Sequence, residues 1–133
     1  MVIELKAVHG ELLQCIAALE LVVRRPTPDT ESLTAARWKL TRASGRRRRL
    51  LTDRVFPALA AVPVTNTPRL QELRAETAAM LTVSSQHIAR WTVDKIVANW
   101  GEYQRASTIL TASMRNRIAT EKIILHPLLA ILA

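Results

Sequence analysis

Residues 3–25 read IELKAVHGELLQCIAALELVVRR. Leu5, His9, Leu12, Ile16, Leu19 and Val23 recur at steps of four and three, which sets them on one face of a helix with 3.6 residues per turn. That face is apolar except for His9, so the stretch reads as an amphipathic helix that buries one stripe against its neighbours. Pro26-Thr27-Pro28 ends it at about Arg25, because proline has no backbone N–H to continue the ladder and restricts the residue before it.

Three further periodic stretches follow. Asp29 or Thr30 is a predicted N-cap for a second helix running to about Ala61, with Pro57 near its end. The segment from Pro63 to Pro68 reads as a loop. Thr67-Pro68 supplies a cap followed by proline in the first helical position, which starts a third helix that runs to about Thr92 or beyond. Asn99 and Glu102 are spaced as a capping box, so a fourth helix is predicted from Asn99 to about Leu132. The second stripe contains Leu33, Leu40, Ser44, Arg47, Leu51 and Val55. The third contains Leu70, Leu73, Thr77, Leu81, Ser84, Ile88 and Trp91, and the fourth Leu110, Met114, Arg117, Glu121, Ile124 and Leu128. Each stripe is apolar at its ends and polar around its middle, so antiparallel packing with short loops brings those polar groups to one interior level.

Composition agrees with a single all-α domain over residues 1–133. Hydrophobic residues make up 49% and charged residues 23%, with only three glycines and five aromatic side chains, which excludes a disordered chain, a collagen-like repeat and most all-β folds. A single Cys15 can form neither an internal disulfide nor a cysteine metal knuckle, as expected of a reducing cytosol. The longest nearly apolar run, Ile123 to Ala133, is too short to span a bilayer, and Glu4, Lys6, His9 and Glu11 break any secretory core at the start. A cytoplasmic protein without a membrane partner is the expectation.

The net charge of +8 is concentrated. Between Arg37 and Arg54 there are eight basic residues against the single acid Asp53. Successive residues of a helix point about 100° apart, so Arg46-Arg47-Arg48-Arg49 cannot all face one groove. Lys39, Arg42, Arg46 and Arg49 form an outward basic surface on this reading, and Arg47 points inward. A solvated face, a phosphate-binding surface and a contact for an acidic protein all fit it, and no recognition-helix motif or stacking-aromatic pattern stands beside it.

The two halves repeat. Leu51 to Ala60, LTDRVFPALA, parallels Glu121 to Ala130, EKIILHPLLA, and in each half a stripe residue, His9 or Thr77, precedes the proline by a similar distance. Duplication of one helical hairpin, folded into an antiparallel up-down-up-down four-helix bundle, accounts for this. On these residues the chain resembles the hemerythrin-like family, whose bundle carries a histidine on the first and third helices and a His-x-x-x-Glu pair before an apolar-Pro-x-Leu ending on the second and fourth. The resemblance spans nearly the whole length and implies a di-iron site that binds oxygen or a related small molecule. It places the ligand positions on His9, on Arg47 and Leu51 (or, one register along, Arg48 and Thr52), on Thr77 after Glu76, and on Arg117 and Glu121. Of these only His9 and Glu121 keep a ligand side chain.

Arginine is cationic and a donor only, so it cannot replace a metal ligand. The expectation is therefore a bundle without metal or cofactor, in which Arg117 pairs with Glu121 one turn away and Arg47 lies near. His9 then serves as a hydrogen-bonding core residue, with metal ligation and phosphoryl acceptance as alternatives. Arg117 and Glu121 alternatively form a solvent-facing ion pair. His87 and His126 have no partner at helical spacing and read as incidental, and Cys15 as a small hydrophobe. No set of nucleophile, base and orienting group is visible and no catalytic residue is assigned. The functional expectation is a regulatory, protein-interaction or small-ligand-sensing module. It engages a protein partner or a second copy of itself, with an anionic ligand or nucleic acid engaged through the second-helix basic face. Residual iron and oxygen binding, and nucleic-acid binding, are the alternatives.

Overall fold

The computed structural model describes all 133 residues and contains helices and no strands. The elements are α1 (Val2–Val23), α2 (Thr30–Leu50), a π-helical turn (Leu51–Val55), α3 (Phe56–Ala60), α4 (Pro68–Arg90), α5 (Val93–Ala98) and α6 (Trp100–Leu132). None is long and apolar enough to cross a membrane.

The caps follow the sequence in two places. The Asp29 side chain accepts from Ser32 N at the start of α2, and Thr67 accepts from Leu70 N at the start of α4 with Pro68 in the first turn. Elsewhere the boundaries differ. The second helix does not run unbroken to Ala61: the π turn intervenes, and the Phe56 amide reaches back to Leu51 O. Pro57 would crowd the carbonyl four residues before it, and the widened turn ahead of it relieves that crowding. The third helix stops at Arg90, and α5, capped by Thr92, fills the presumed junction. No Asn99–Glu102 capping box forms, because Asn99 Nδ2 donates to Lys95 O instead.

Two apolar clusters hold the helices together. One contains Leu5 from the start of α1, Leu50 from the end of α2 and Leu51 from the π turn, Leu70 and Leu73 from the start of α4, and Leu125 and Leu129 from the end of α6. The other contains Leu12 to Val23 of α1, Leu33 to Ala43 of α2, Ile96 of α5, and Tyr103 and Ile118 of α6. Each cluster pairs the beginning of one long helix with the end of another. Complete burial of a leucine of this kind contributes about 1.5–3 kcal/mol.

The α1 stripe is buried where the sequence places it, with His9 inside; the second stripe, running through α2 into the π turn, is buried as well, with Arg47 inside, except at the half-buried Ser44. The other two stripes are not. In α4 only Leu70, Leu73 and Thr77 are buried, whereas Leu81 and Ile88 are 42% and 48% exposed. In α6 the buried set is Tyr103, Ser107, Thr111, Ile118, Glu121, Leu125 and Leu129, which is rotated from the predicted stripe and leaves Arg117 at its margin. α1 packs most extensively on α2 and then on α6, α4 rests on α6, and α2 and α4 scarcely meet.

Candidate functional site

Between the two apolar clusters lies a polar core. Glu121 of α6 and His9 of α1 are both completely buried, and His9 Nε2 lies 2.7 Å from Glu121 Oε2. Arg47 of α2 is buried as well; its Nε donates to the same oxygen at 3.0 Å and its Nη2 donates to Oε1. One carboxylate thus receives donors from two other helices, and the Arg47 guanidinium matches its charge. Burial alone would raise the Glu121 pKa, but hydrogen bonds from His9 and Arg47 together with the positive charge of Arg47 outweigh it and hold the carboxyl below its ordinary range. The bidentate fork is the geometry in which a buried pair recovers most of its desolvation cost.

The remaining ligand positions do not converge on this point. Thr77 is buried but donates its hydroxyl to Leu73 O at 2.9 Å. Leu51 is an apolar residue of the π turn. The expected pairing of Arg117 with Glu121 is overturned: Arg117 Nη1 donates to Glu76 Oε2 at 2.8 Å, and Arg69 Nη1 lies 3.3 Å from the other Glu76 oxygen. The cause is the rotation of α6, which turns Ile118 and Glu121 inward and Arg117 toward α4. The hydrogen bond from Arg117, helped by Arg69, holds the Glu76 carboxyl below its ordinary range against desolvation.

These residues do not fit a di-iron group. Nowhere do three His, Cys, Asp or Glu side chains converge, and both Glu121 oxygens and His9 Nε2 are already engaged with one another and with Arg47.

Comparison with known families, curated proteins and solved structures finds no match for this chain.

The basic segment divides in several directions. Lys39, Arg42 and Arg49 are exposed, and the Arg42 guanidinium lies 5.8 Å from the ring centre of the exposed Trp38. Arg46 is no free cation of that surface, because Glu11 of α1 accepts from its Nε at 3.0 Å and also from Nη2. Arg47 enters the core. Arg48 is half-buried beside a groove between α2 and α4, and Arg37 lies further along the same groove.

That groove carries residues that sequence reasoning left aside. His87, read as incidental, lines it next to Tyr103, and burial first, then the charges of Arg37 and Arg90, push the His87 pKa down. Three buried polar atoms have no partner: His9 Nδ1, Arg117 Nε and His126 Nε2. The pKa of His126 is lowered by desolvation and then by Lys6, His9 and Lys122. The sequence held one usable signal for the groove, the serines Ser44 and Ser84 standing at stripe positions of α2 and α4.

Proposed function

We propose that the chain is an antiparallel up-down-up-down four-helix bundle, a duplicated hairpin of the hemerythrin-like kind, in which a guanidinium occupies the position of the metal. We propose further that it works without catalysis, as a regulatory module that binds a small ligand or a partner protein. The observation that carries this reading is the Arg47–Glu121–His9 cluster at the level where the ligands of that family would lie. The clustering of helix beginnings with helix ends supports the antiparallel arrangement.

A cation fixed by the chain stabilises the core and activates nothing, since arginine offers no open coordination position and keeps its proton. The side-chain hydrogen bonds of His9 and Glu121 run to each other and to Arg47, none of them to a hydroxyl or thiol. The exposed Lys39, Arg42 and Arg49, and the outward-facing Ile3, Ile109 and Ile123, suit contact with an acidic protein partner or with a second copy of the chain. Placement in the cytoplasm accords with the unpaired Cys15.

Anaerobic incubation with ferrous iron, followed by desalting and metal analysis, tests the reading. No stoichiometric iron is the expected result for the native chain. Retention of one or two irons per chain overturns it in favour of a working iron or oxygen binder. Nucleic-acid binding would show as steeply salt-dependent retention on DNA or RNA that is lost in the Arg42→Gln, Arg49→Gln double variant.

A further inference from the structure

Five arginines of this chain are withdrawn from full exposure: Arg37, Arg46, Arg47, Arg48 and Arg117. Three of them hold a glutamate, Arg46 with Glu11, Arg47 with Glu121 and Arg117 with Glu76. The two that hold none, Arg37 and Arg48, line the same cavity. A half-buried guanidinium has given up part of its hydration, and without an anion it recovers little in return.

The cavity lies where α2 and α4 part, is partly open to solvent and has a volume of about 180 Å³. On the α2 side Arg37, Thr41, Ser44 and Arg48 follow one another at steps of four, three and four, which sets all four on a single face. Across from them α4 presents Ser84, Ser85 and the under-packed Leu81 and Ile88. The floor is apolar, formed by Leu19 and Leu40 with Leu110 and Met114 of α6. Not one of its lining residues is an aspartate or a glutamate. Arg37 lies 5.9 Å from the Tyr103 ring centre, which braces the side chain without neutralising it.

We propose that this cavity binds a small amphipathic organic anion, a carboxylate with a short apolar body, through Arg37 or Arg48 and the hydroxyls beside them, with the body on the Leu19–Leu110–Met114 floor. The class follows from the lining: an apolar floor selects a hydrocarbon body, two unpaired guanidiniums select a negative head, and the missing acids exclude an ammonium. A volume near 180 Å³ is about six times the roughly 30 Å³ of a liquid water, room for on the order of six non-hydrogen atoms, and the cavity is open along the seam for the rest of a short chain. This deepens the ligand-sensing part of the proposed function and rests on it.

The test is isothermal titration of the full chain with octanoate, octan-1-ol and octylammonium, alongside inorganic phosphate. Octanoate is expected to bind with a Kd of roughly 1 mM or tighter, with octan-1-ol and octylammonium weaker by about tenfold or more. Phosphate alone should bind at least tenfold less well than octanoate, since it leaves the floor empty. The Arg37→Gln, Arg48→Gln double variant should lose tenfold or more of the octanoate affinity. Ser84→Leu, a change on the α4 side that fills the cavity and leaves both arginines in place, should lose it too. In the wild type, octanoate should move the ring resonances of His87 and Tyr103. Equal binding of octanoate and octan-1-ol, unchanged affinity in the double variant, or no heat with octanoate at 10-fold the expected Kd each overturns the proposal. This failure is distinct from that of the metal-free reading, which is decided by iron retained per chain and read on the same preparation.

Discussion

Arg47 of α2 and Glu121 of α6 face each other inside the protein as a two-point pair, Nε to Oε2 at 3.0 Å and Nη2 to Oε1, with His9 on the second lone pair of Oε2. A buried pair of this kind adds little net stability over an apolar replacement, yet breaking it by halves is costly, because the surviving partner stays buried and charged. Its two members therefore behave very differently when changed singly and together.

Replacement of Glu121 by alanine leaves Arg47 and His9 without their acceptor and should cost about 3–5 kcal/mol. The combined Arg47→Met, Glu121→Leu change removes both charges and should cost far less than the single change. Urea unfolding followed by circular dichroism gives both values. A loss below about 0.5 kcal/mol for Glu121→Ala would be that of a surface position and incompatible with the cluster.

The same pair makes stability depend on acid. The folded Glu121 pKa is depressed below the ordinary value of about 4.3, so the folded state binds fewer protons than the unfolded chain in that range. Its contribution is complete above the unfolded pKa and is lost as pH falls through the folded one. Glu11, Asp29 and Glu76 are depressed also and contribute in the same direction. The part belonging to Glu121 is isolated by subtracting the stability profile of Glu121→Gln from that of the wild type: the difference should shrink on acidification below about pH 4.3. A difference that stays flat through that range would contradict the depressed carboxyl.

His9, Arg47 and Glu121 could each be found from the sequence because each stands at a stripe position, and periodicity reports which face a residue occupies. The partners were less legible. Choosing Glu121 for Arg117 assumed that a neighbour one turn away wins, whereas the phase of α6 is set by Tyr103, Ile118 and Leu125 seeking the core, and that turns Arg117 toward Glu76. The pairs Arg46–Glu11 and Arg115–Glu20 span helices far apart in the chain, and no local pattern encodes them. The open seam between α2 and α4 was hidden for a similar reason: Leu81 and Ile88 continue an apolar stripe, and only the packing shows that no helix covers them.

Glu76 and Arg117 offer a contrast to the central pair. Both Glu76 contacts lie near the surface, its side chain being 42% exposed, so water already screens them. Glu76→Ala should cost several-fold less than Glu121→Ala under identical conditions. Similar losses for the two would mean that burial does not set the strength of these pairs.

The two halves of α4 should open at different rates. Leu70 and Leu73 anchor the first half in the apolar cluster that holds Leu5 and Leu125, and Thr77 is buried beyond them, while from Leu81 onward no α4 residue is buried until Trp91 follows the helix. Local opening is easiest where few apolar contacts must be broken, and the backbone hydrogen bonds of an exposed half-helix hold it only weakly. Native-state hydrogen exchange read by mass spectrometry should find the amides of residues 72–78 protected close to the limit of global unfolding. Those of residues 82–90 should exchange at least tenfold faster. Leu73→Ala, which empties a buried site, should cost about 2–5 kcal/mol and raise exchange throughout the chain. Leu81→Gln should stay within about 0.5 kcal/mol of the wild type and leave the protected half as it was. Uniform protection along α4 would show that its second half is packed as firmly as its first, and the seam beside α2 would then be closed.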